Sequence, residues 1–546
     1  MIQISQIRLR PDHEQSDLEK AVRRKLRLKE EACAWSVHRQ SVDARKKPDI
    51  FYVYTVNVCF QDPSLEERVL KRCRKDSSVK SVSLPVYTFP SVNNALSRNG
   101  DGLSDPSKNR PVVVGAGPAG LFCALMLSRS GLNPVVIERG ECVDERVKAV
   151  DAFWNGGPLD PDCNVQFGEG GAGTFSDGKL NTSIKDPDGR IAFVLRTFAE
   201  AGAPGDIQTS YRPHIGTDIL RTVVKNIREE IITRGGAFLF SHRLTDITDH
   251  YTLHLQDIKA HTVKQISTDT LVLALGHSAR DTFEMLKAKG VAMEQKAFAV
   301  GVRIQHPQKM IDNAMYGDPC PYEMPPASYK LTGKAGGRGV YSFCMCPGGY
   351  IVNASSEKEM LCVNGMSYRA RSSGQANAAI VVTLSPEEYD PAAVKDPLQG
   401  MYFQRELERK AFIAGEGAVP VQTFKQFCSA ADTPGSSDLI RPAIKGAWKY
   451  ADVRSIFPVE TGICLEEGIA GFERQIPGFA SDEALLCGVE SRTSSPVRIL
   501  RDASCVSKSH PGIYPCGEGA GYAGGITSAA IDGIRVAEVI VRSRFT

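Results

Sequence analysis

The sequence predicts an α/β protein in which one parallel sheet is assembled from two separated parts of the chain. In residues 111–140, a short apolar strand, a glycine-rich turn, an apolar helix and a second strand follow one another. The same succession of strand, glycine-rich loop and apolar helix returns at residues 512–542, and residues 1–87 show a β-α-β-β-α-β order. We therefore expect a split Rossmann-like domain, an inserted mixed-sheet α+β domain and an N-terminal ferredoxin-like α+β domain.

Changes in composition along the 546 residues set the predicted domain boundaries. A chain of this length accommodates two or three domains with large cores. Residues 88–110 are rich in Ser, Asn, Gly, Asp and Pro, which is typical of an exposed linker. We expect an N-terminal ferredoxin-like domain at 1–87, followed by a linker at 88–110. The nucleotide-binding domain is expected in two parts, 111–280 and 501–546, with an inserted substrate domain at 281–500 between them.

The N-terminal region alternates between patterns of period 2 and period 3.6. Strands are predicted at 2–9, 34–44, 50–60 and 79–87, and helices at 17–31 and 64–75. The first helix carries six Lys and Arg residues between Lys20 and Lys29. A solvated helix face is the favoured interpretation, and a basic surface toward RNA or another protein is the alternative.

The pattern G-x-G-x-x-G follows the first apolar strand, Val112 to Val114. Gly115 permits the tight turn, Gly117 lets the backbone approach a pyrophosphate, and Gly120 lets helix and strand pack closely. Glu138 ends the second strand, where a carboxylate can accept hydrogen bonds from a ribose 2′-OH. The acid favours FAD or NAD over NADP. A glycine-rich turn in an unrelated α/β protein is the alternative.

A second glycine-rich stretch, residues 166–182, contains five glycines with small hydroxyl residues between them. So many glycines allow the backbone to lie against a flat or anionic ligand, with Thr174 and Ser176 as donors. A surface turn is disfavoured because one turn needs only one or two glycines. Near the C-terminus, a third glycine-rich loop at 517–526 precedes a helix, and Glu518 is positioned to meet ribityl or ribose hydroxyls.

Composition excludes several classes of protein. The net charge of +3 gives no reason to expect a nucleic-acid partner, and no apolar run approaches the length that spans a bilayer. The charged N-terminus does not resemble a signal peptide, so we expect a cytoplasmic protein. The fifteen cysteines include no CxxC, which favours free thiols over disulfides and indicates no metal site. Oligomeric state stays open.

The stretches GxGPAG, VIERG, LALG and CGEGAGYAGGI together resemble flavoproteins of the glutathione-reductase type. GEGGAGTFSDGKLNT, LALGHSARDTF, YSFCMCPGGYIVNAS and VESRTSSPVRI resemble more specifically the family of uncharacterised FAD-dependent, or NAD-utilising, dehydrogenases, over essentially the whole chain. The resemblance implies an FAD-dependent oxidoreductase with a small-molecule substrate that the family does not identify. We expect the FAD to be non-covalent, because Cys516 beside the C-terminal loop is only a weak candidate for attachment.

Carried over residue by residue, the resemblance implies three groups of FAD contacts. Those at the pyrophosphate and adenosine are Gly115, Gly117, Ala119, Gly120, Glu138, Arg139, Arg146, Gly276 and the backbone near Arg243. Those facing the flavin are Gly170, Gly171, Gly173 and Ser176. Those holding the ribityl chain and flavin are Gly517, Glu518, Gly521, Gly525 and Ile526.

Three side chains are candidates for chemistry, each beside a plainer interpretation. His277 is a candidate general acid or substrate donor, or a turn histidine. Lys179 is placed to stabilise an anionic reduced flavin, or is a solvated lysine. Cys346, with Cys344, is a candidate redox thiol, although strain makes a CxC disulfide doubtful and packing in a strand is the alternative.

Arginines are the candidate anchors for an anionic substrate, against ordinary salt bridges. Arg492 and Arg498 flank Thr-Ser-Ser-Pro, and Arg303 is a weaker candidate. Residues 281–500 contain no second G-x-G-x-x-G with a following helix and acid. NAD(P)H as a transient reductant without its own Rossmann unit therefore stays open beside another donor. A flavin-dependent RNA-modifying enzyme and a non-enzymatic FAD-binding redox sensor are the alternative functions.

Overall fold

A computed structural model describes residues 1–28, 33–90, 110–248, 251–429 and 440–545. Most of the predicted linker at 88–110 lies outside these ranges, and so does Lys29 of the basic helix. Within the described ranges, no helix is long and apolar enough to cross a membrane. The same residues contain no group of three or more His, Cys, Asp or Glu side chains arranged to hold a metal ion.

The N-terminal unit is a four-stranded antiparallel sheet covered by two helices. Its elements are β1 (Ile2–Leu9), α1 (Gln15–Leu26), β2 (Ala34–Lys46), β3 (Asp49–Cys59), α2 (Pro63–Cys73) and β4 (Val79–Ser81). The strand order is β2-β3-β1-β4. This reproduces the β-α-β-β-α-β order that the sequence predicts. The last strand is shorter than the predicted 79–87, in a segment where Pro85 cannot donate to a sheet ladder.

The next part of the chain alternates strands and helices, then forms a small antiparallel meander. Its elements are β5 (Val112–Val114), α3 (Pro118–Arg129), β6 (Val135–Ile137), α4 (Val143–Trp154), α5 (Arg190–Glu200), α6 (Thr217–Thr233), β7 (Ala237–Leu239), β8 (His242–Thr248), β9 (Thr252–Asp257), β10 (Thr262–Ser267), β11 (Leu271–Leu273) and α7 (Arg280–Ala288). Strands β8, β9 and β10 form the meander.

The remainder of the chain forms a second, mixed sheet and two small sheets, and its last strand and helix pack with the parallel sheet. Its elements are β12 (Met293–Gln295), β13 (Phe298–Pro307), α8 (Gln308–Tyr316), β14 (Thr332–Ala335), β15 (Arg338–Cys346), β16 (Tyr350–Asn353), β17 (Val363–Met366), β18 (Gln375–Leu384), α9 (Pro386–Tyr389), α10 (Gln399–Ala414), β19 (Val419–Thr423), α11 (Phe424–Ser429), β20 (Ile444–Lys445), β21 (Trp448–Tyr450), α12 (Val459–Phe472), β22 (Leu485–Glu490), β23 (Val497–Ile499), β24 (Ile513–Pro515) and α13 (Ile526–Phe545). Seven strands pair in the order β14-β15-β18-β13-β22-β19-β21.

The parallel sheet takes four strands from the chain before the seven-stranded sheet and one strand, β24, from the chain after it. Its order is β24-β11-β5-β6-β7, so β24 joins the sheet after a long excursion of the chain. The pairing is in register, with Val113 facing Val136 on one side and Val272 on the other. All three residues are fully buried, because helices cover one face of the sheet while the meander and α7 cover the other. This two-sided burial is typical of parallel sheets.

The C-terminal helix α13 crosses α3 at close range. A Cβ added at Gly533 would lie 2.1 Å from the carbonyl oxygen of Ala119. Only glycine permits this approach, because a backbone atom cannot move aside as a flexible side chain can. The crossing brings the start of α13 to the same edge of the sheet as the start of α3.

We predict that Gly533→Ala destabilises the protein by roughly 1–3 kcal/mol, because the added methyl group overpacks the helix crossing. Helix propensity alone would act the other way, by up to about 1 kcal/mol. Gly471→Ala is the matched control, since Gly471 also lies in a helix and a Cβ there meets nothing within 4 Å. Urea unfolding should show opposite signs for the two variants. A stabilised Gly533→Ala would contradict the close crossing.

Candidate functional site

A large cavity lies between the carboxyl ends of the parallel strands and the seven-stranded sheet. Its walls include Gly115 after β5, Glu138 after β6 and Gly276 after β11, and Cys344 and Glu490 line the opposite side. The space is about 1570 Å³, counting its open mouth. Open α/β sheets bind their ligands in such a cleft, outside the carboxyl ends of the parallel strands.

The first glycine loop is built by close backbone contacts. A Cβ at Gly115, whose φ is +106°, would lie 2.4 Å from the carbonyl oxygen of Ala274, and one at Gly120 would lie 1.9 Å from that of Gly115. Gly117 precedes α3 and lines the cavity together with Ala119, whereas Gly120 packs behind the loop. The N–H groups at the start of α3 thus face the cavity, where they favour an anion.

Glu138 ties the first and second glycine segments together. One carboxylate oxygen accepts from the N–H of Ala116 at 2.8 Å, and the other accepts from Gly140 at 3.0 Å and Gly168 at 2.9 Å. The residue is 6% exposed and lines the cavity. The side chain predicted to meet a ribose therefore also fixes the backbone on both sides of it.

Arg146 lies elsewhere than the sequence predicts. Its guanidinium is fully buried and donates to the carbonyl oxygens of five residues at 2.7–3.1 Å: Asn164, Val165, Gly168, Glu169 and Gly171. It does not line the cavity. Since its N–H groups are used by the backbone, we correct its role from contact with adenine or phosphate to support of the second glycine segment.

The second glycine segment divides into a lining part and a packing part. Gly171, Gly173 and Ser176 line the cavity. Gly170 does not, because its N–H donates to Ala116 at 2.8 Å and a Cβ would lie 1.9 Å from the hydroxyl of Thr174. The prediction that Gly170 faces the cavity is therefore wrong, and its small size serves the packing between loops.

The C-terminal loop shows the same division. Glu518, Gly525 and Ile526 line the cavity, and Ile526 begins α13. Gly517 and Gly521 do not line it. Both have positive φ and shape the turn, and the N–H of Gly517 donates to Asp532 at 2.8 Å.

His277 follows β11 and contacts this loop. Its Nδ1 lies 3.1 Å from a carboxylate oxygen of Glu518. The residue is 7% exposed and lines the cavity, and its Nε2 has no partner among the described residues. A buried ring nitrogen without a partner indicates a position where a ligand completes the hydrogen bonding.

The far end of the cavity is lined by Arg139, His242 and Leu244. Arg139 lies over the ring of Phe167 at 4.5 Å and pairs with Asp281 at 2.5 Å. Gly276 lines the cavity nearby. His242 and Leu244, the two neighbours of Arg243, also line it, whereas the Arg243 side chain pairs with Gln256.

Lys179 reaches the cavity beside a buried carboxylate. Its Nζ lies 3.6 Å from Asp177, which is 4% exposed and is also contacted by Arg371, His214 and Ser367. Burial acts to raise the pKa of Asp177, but the charges of Lys179 and Arg371 lower it overall. Burial lowers the pKa of His214 to about 4. In the described part of the chain, the Lys179 ammonium has no hydrogen-bond partner.

The two cysteines of β15 differ in how accessible their thiols are from the cavity. Cys346 is fully buried, although it touches the cavity wall, and its Sγ–H donates to the carbonyl oxygen of Cys344 at 3.2 Å. Cys344 has a φ of +42° and an exposed side chain on the cavity wall. The accessible thiol is therefore Cys344, and the choice of Cys346 as the candidate catalytic cysteine is corrected.

The predicted anion-binding arginines are engaged with other groups. Arg492 lines the cavity, but it pairs with Glu408 at 2.7 Å and donates to Ser278 and Ser356. Arg498 lies off the cavity and pairs with Glu294 at 3.3 Å. Arg303 is fully buried against Glu490 at 2.8 Å. We therefore correct all three assignments, since a paired guanidinium offers little to a substrate.

Comparison with known proteins places the chain in a family. A model described as pyridine nucleotide-disulphide oxidoreductase matches residues 109–315, and one described as FAD-dependent protein, C-terminal domain-like, matches 297–493. A domain of unknown function matches 1–59. An uncharacterised protein of Clostridium beijerinckii is 44% identical over 551 residues, covering 99% of this chain and 98% of that protein. The chain belongs to the same family as this clostridial protein.

The chain is an FAD-dependent oxidoreductase, and FAD is its cofactor. The cavity fits this cofactor because two glycine segments and the starts of α3 and α13 open onto it. The unpartnered Nε2 of His277 adds a buried donor or acceptor for a ligand. Bound FAD supplies the transfer of two electrons.

Solved structures match at low similarity. An FAD-complexed glycerol-3-phosphate dehydrogenase from Bacillus halodurans has a TM-score of 0.36 and 11% identity, covering 80% of this chain and 65% of its own. A geranylgeranyl bacteriochlorophyll reductase-like protein from Thermoplasma acidophilum has a TM-score of 0.34 and 10% identity, covering 80% of each chain. A flavoprotein/dehydrogenase from Cytophaga hutchinsonii has a TM-score of 0.34 and 11% identity, covering 80% and 79%. At these scores the matches carry no argument about function.

We predict that Arg146→Lys weakens both folding and FAD binding. A lysine ammonium cannot reproduce the planar fork of the guanidinium, and each carbonyl oxygen that loses its donor costs about 1–3 kcal/mol unless it has another partner, as those of Gly168 and Glu169 do. Urea unfolding and quenching of flavin fluorescence measure the two effects. Lys148→Ala, on the exposed side of the same helix, should change stability by less than about 0.5 kcal/mol. Equal effects of the two substitutions would contradict the supporting role of Arg146.

Proposed function

We propose that the protein couples FAD to the oxidation or reduction of a small anionic molecule that binds beside Lys179. Support comes from one observation above all: Lys179 lines the cavity, and its ammonium is buried without a hydrogen-bond partner among the described residues. Asp177 is 3.6 Å away, which gives charge attraction but not a hydrogen bond. A carboxylate or similar anion would complete the donors of this lysine.

The proposal also assigns an orientation to the cofactor. The pyrophosphate would lie at Gly115, Gly117 and Gly276, and the adenosine toward Glu138 and Arg139. The flavin would then extend toward Gly173, Ser176, Gly525 and Ile526. Two features support this direction: the start of α3 suits phosphate, and the cavity wall also carries Lys179, which pairs only with Asp177, and the exposed thiol of Cys344. A glutathione-reductase-type arrangement belongs to the same proposal.

The division into domains would serve this chemistry. In the proposal, residues 111–280 and 501–546 hold FAD, and residues 281–500 supply the wall against which the substrate binds. Strands β15, β17 and β22 contribute Cys344, Asn364 and Glu490 to that wall. The proposal takes a nicotinamide cofactor as the electron donor. It would bind transiently, because the sequence has no second dinucleotide fingerprint between 281 and 500.

An anaerobic absorbance titration tests the proposed electron donor. The purified protein is expected to show flavin bands that bleach when NADH or NADPH is added, since either nicotinamide would transfer two electrons to FAD. Flavin bands that persist with both would reject nicotinamide as donor and leave oxidation of the substrate as the first half-reaction. A protein that binds no FAD would contradict the cofactor assignment itself.

The anion site is tested by Lys179→Met. Loss of a charge-assisted hydrogen bond, about 1.5–3 kcal/mol, should weaken binding of a small carboxylate about 10- to 100-fold. Acetate, pyruvate and succinate are suitable probes, followed by the shift they cause in flavin absorbance. Lys185→Met is the control, because Lys185 lies on the same segment but off the cavity wall. If both variants bind the carboxylates as tightly as the unaltered protein, the anion site is not at Lys179.

A further inference from the structure

The flavin end of the cavity presents a thiol that the backbone is shaped to expose. Strand β15 pairs with β18 at Phe343–Ala379 and again at Cys346–Asn377, so one extra residue on β15 makes a bulge. The bulge contains Cys344, whose φ of +42° is unusual for a residue other than glycine. Bulges re-aim side chains and occur beside active sites. Here the bulge directs Cys344 to the cavity wall.

Buried polar groups hold the bulge in place. Arg303 donates to the carbonyl oxygen of Cys344 from both terminal nitrogens, at 3.3 and 3.4 Å, and Cys346 donates to the same oxygen. Arg303 is in turn paired with Glu490 and hydrogen-bonded to Asn377. All four side chains, those of Arg303, Glu490, Asn377 and Cys346, are at most 3% exposed. They therefore hold the bulge from its buried side, while the thiol of Cys344 stays accessible from the cavity.

The same cavity shows other signs of a ligand beside this thiol. His277 and Lys179 line this cavity, and each has a buried side-chain nitrogen with no hydrogen-bond partner within the described ranges. Although the Cys344 side chain is exposed to the cavity, protein surrounds it, and this desolvation raises its pKa to about 12 against the charges of Lys179 and Arg303. The thiol is therefore protonated at neutral pH. Two other ionisable groups, Cys346 and Glu490, also act on it and raise its pKa.

We infer that Cys344 is the catalytic proton donor of the FAD reaction, supplying its Sγ–H proton to the substrate as electrons leave the cofactor. The inference rests on the proposed function. A carbon–carbon or carbonyl double bond takes two electrons and one proton from the reduced cofactor at one atom. The Sγ–H bond of Cys344 breaks, and its proton forms the new bond at the neighbouring atom.

The charges of Lys179 and Arg303 offset part of the cost that desolvation imposes on the remaining thiolate, and the thiolate regains a proton from solvent. The cysteine is therefore unchanged over a full turnover, and no disulfide forms. The substrate class follows from both groups together: a small unsaturated or carbonyl compound that carries an anionic group for Lys179 and an acceptor atom within reach of Cys344.

Alkylation tests the position of Cys344 without any turnover. Maleimide labelling of each cysteine is measured by peptide mass spectrometry, in the protein with and without FAD. Bound FAD should slow labelling of Cys344 by at least about tenfold, because reactivity follows exposure. Cys59 and Cys428 are exposed elsewhere and serve as internal references. Equal labelling of Cys344 with and without FAD would overturn its position beside the cofactor.

Two electron acceptors test the proton transfer. Ferricyanide takes electrons without protons, whereas a sulfonated benzoquinone takes two electrons and two protons and carries the anion that Lys179 requires. Cys344→Ala should slow reoxidation of the reduced holoenzyme by the quinone about 10²-fold or more and leave ferricyanide nearly unchanged. Cys344→Ser keeps a weaker donor and should restore part of the quinone rate, while Cys59→Ala should match the unaltered enzyme.

The outcomes separate the inference from the function on which it rests. An unaltered enzyme that reduces neither acceptor would overturn the proposed function. One that reduces ferricyanide alone, or a Cys344→Ala variant that slows both acceptors equally or neither, would overturn the proton-donor role and leave the redox function standing.

Discussion

The carboxylate of Glu138 is the contact on which the geometry of the cavity depends. It accepts three backbone N–H groups, from Ala116 in the first glycine loop and from Gly140 and Gly168 farther along. Arg146 satisfies the carbonyl oxygens of the same region with five hydrogen bonds. The Glu138 carboxylate thus holds backbone N–H groups of this irregular segment, and the Arg146 guanidinium holds its carbonyl oxygens. Charge-assisted bonds are well suited to this, since glycine-rich backbone gains nothing from side-chain packing.

A second buried charge network joins the two sheets. Arg280, at the start of α7, and Arg492, after β22, both pair with Glu408 of α10. Burial opposes ionisation of Glu408, but the two guanidinium groups hold its pKa well below the usual range. Such a network is costly to desolvate and weak evidence for stability. Its directional bonds nevertheless fix where the parallel sheet and the seven-stranded sheet meet, which is the place where the cavity opens.

The cavity wall carries two chemically different sets of groups. The first glycine loop and the start of α3 offer backbone N–H groups, and those suit phosphate and sugar. Lys179 and Cys344, also on the cavity wall, bring an ammonium without a hydrogen-bond partner among the described residues and an exposed thiol. Low solvent access strengthens every interaction of these groups with a ligand. In the proposed orientation of FAD, the flavin would lie toward these ionisable side chains.

The sequence by itself determined the α/β fold, the β-α-β-β-α-β order of the first 81 residues and the identity of the cofactor. These features depend on local patterns: apolar periodicity, the spacing of Gly115, Gly117 and Gly120, and an acid after the second strand. Glycine motifs can be recognised in a sequence because the backbone geometry at these positions excludes residues with a side chain. Glu138, Ala119, Gly276 and Ile526 all line the cavity that the motifs predict.

Only the tertiary structure decided which residues of each motif face the cavity and which serve packing. Gly170, Gly517 and Gly521 look like their neighbours in sequence, yet the contacts around them come from distant segments. Arg492 and Arg498 looked free because Glu408 and Glu294 lie far along the chain. The choice between Cys344 and Cys346 depended on a bulge whose register is set by pairing with β18. Long-range partners set burial, and burial decides which side chains are available for chemistry.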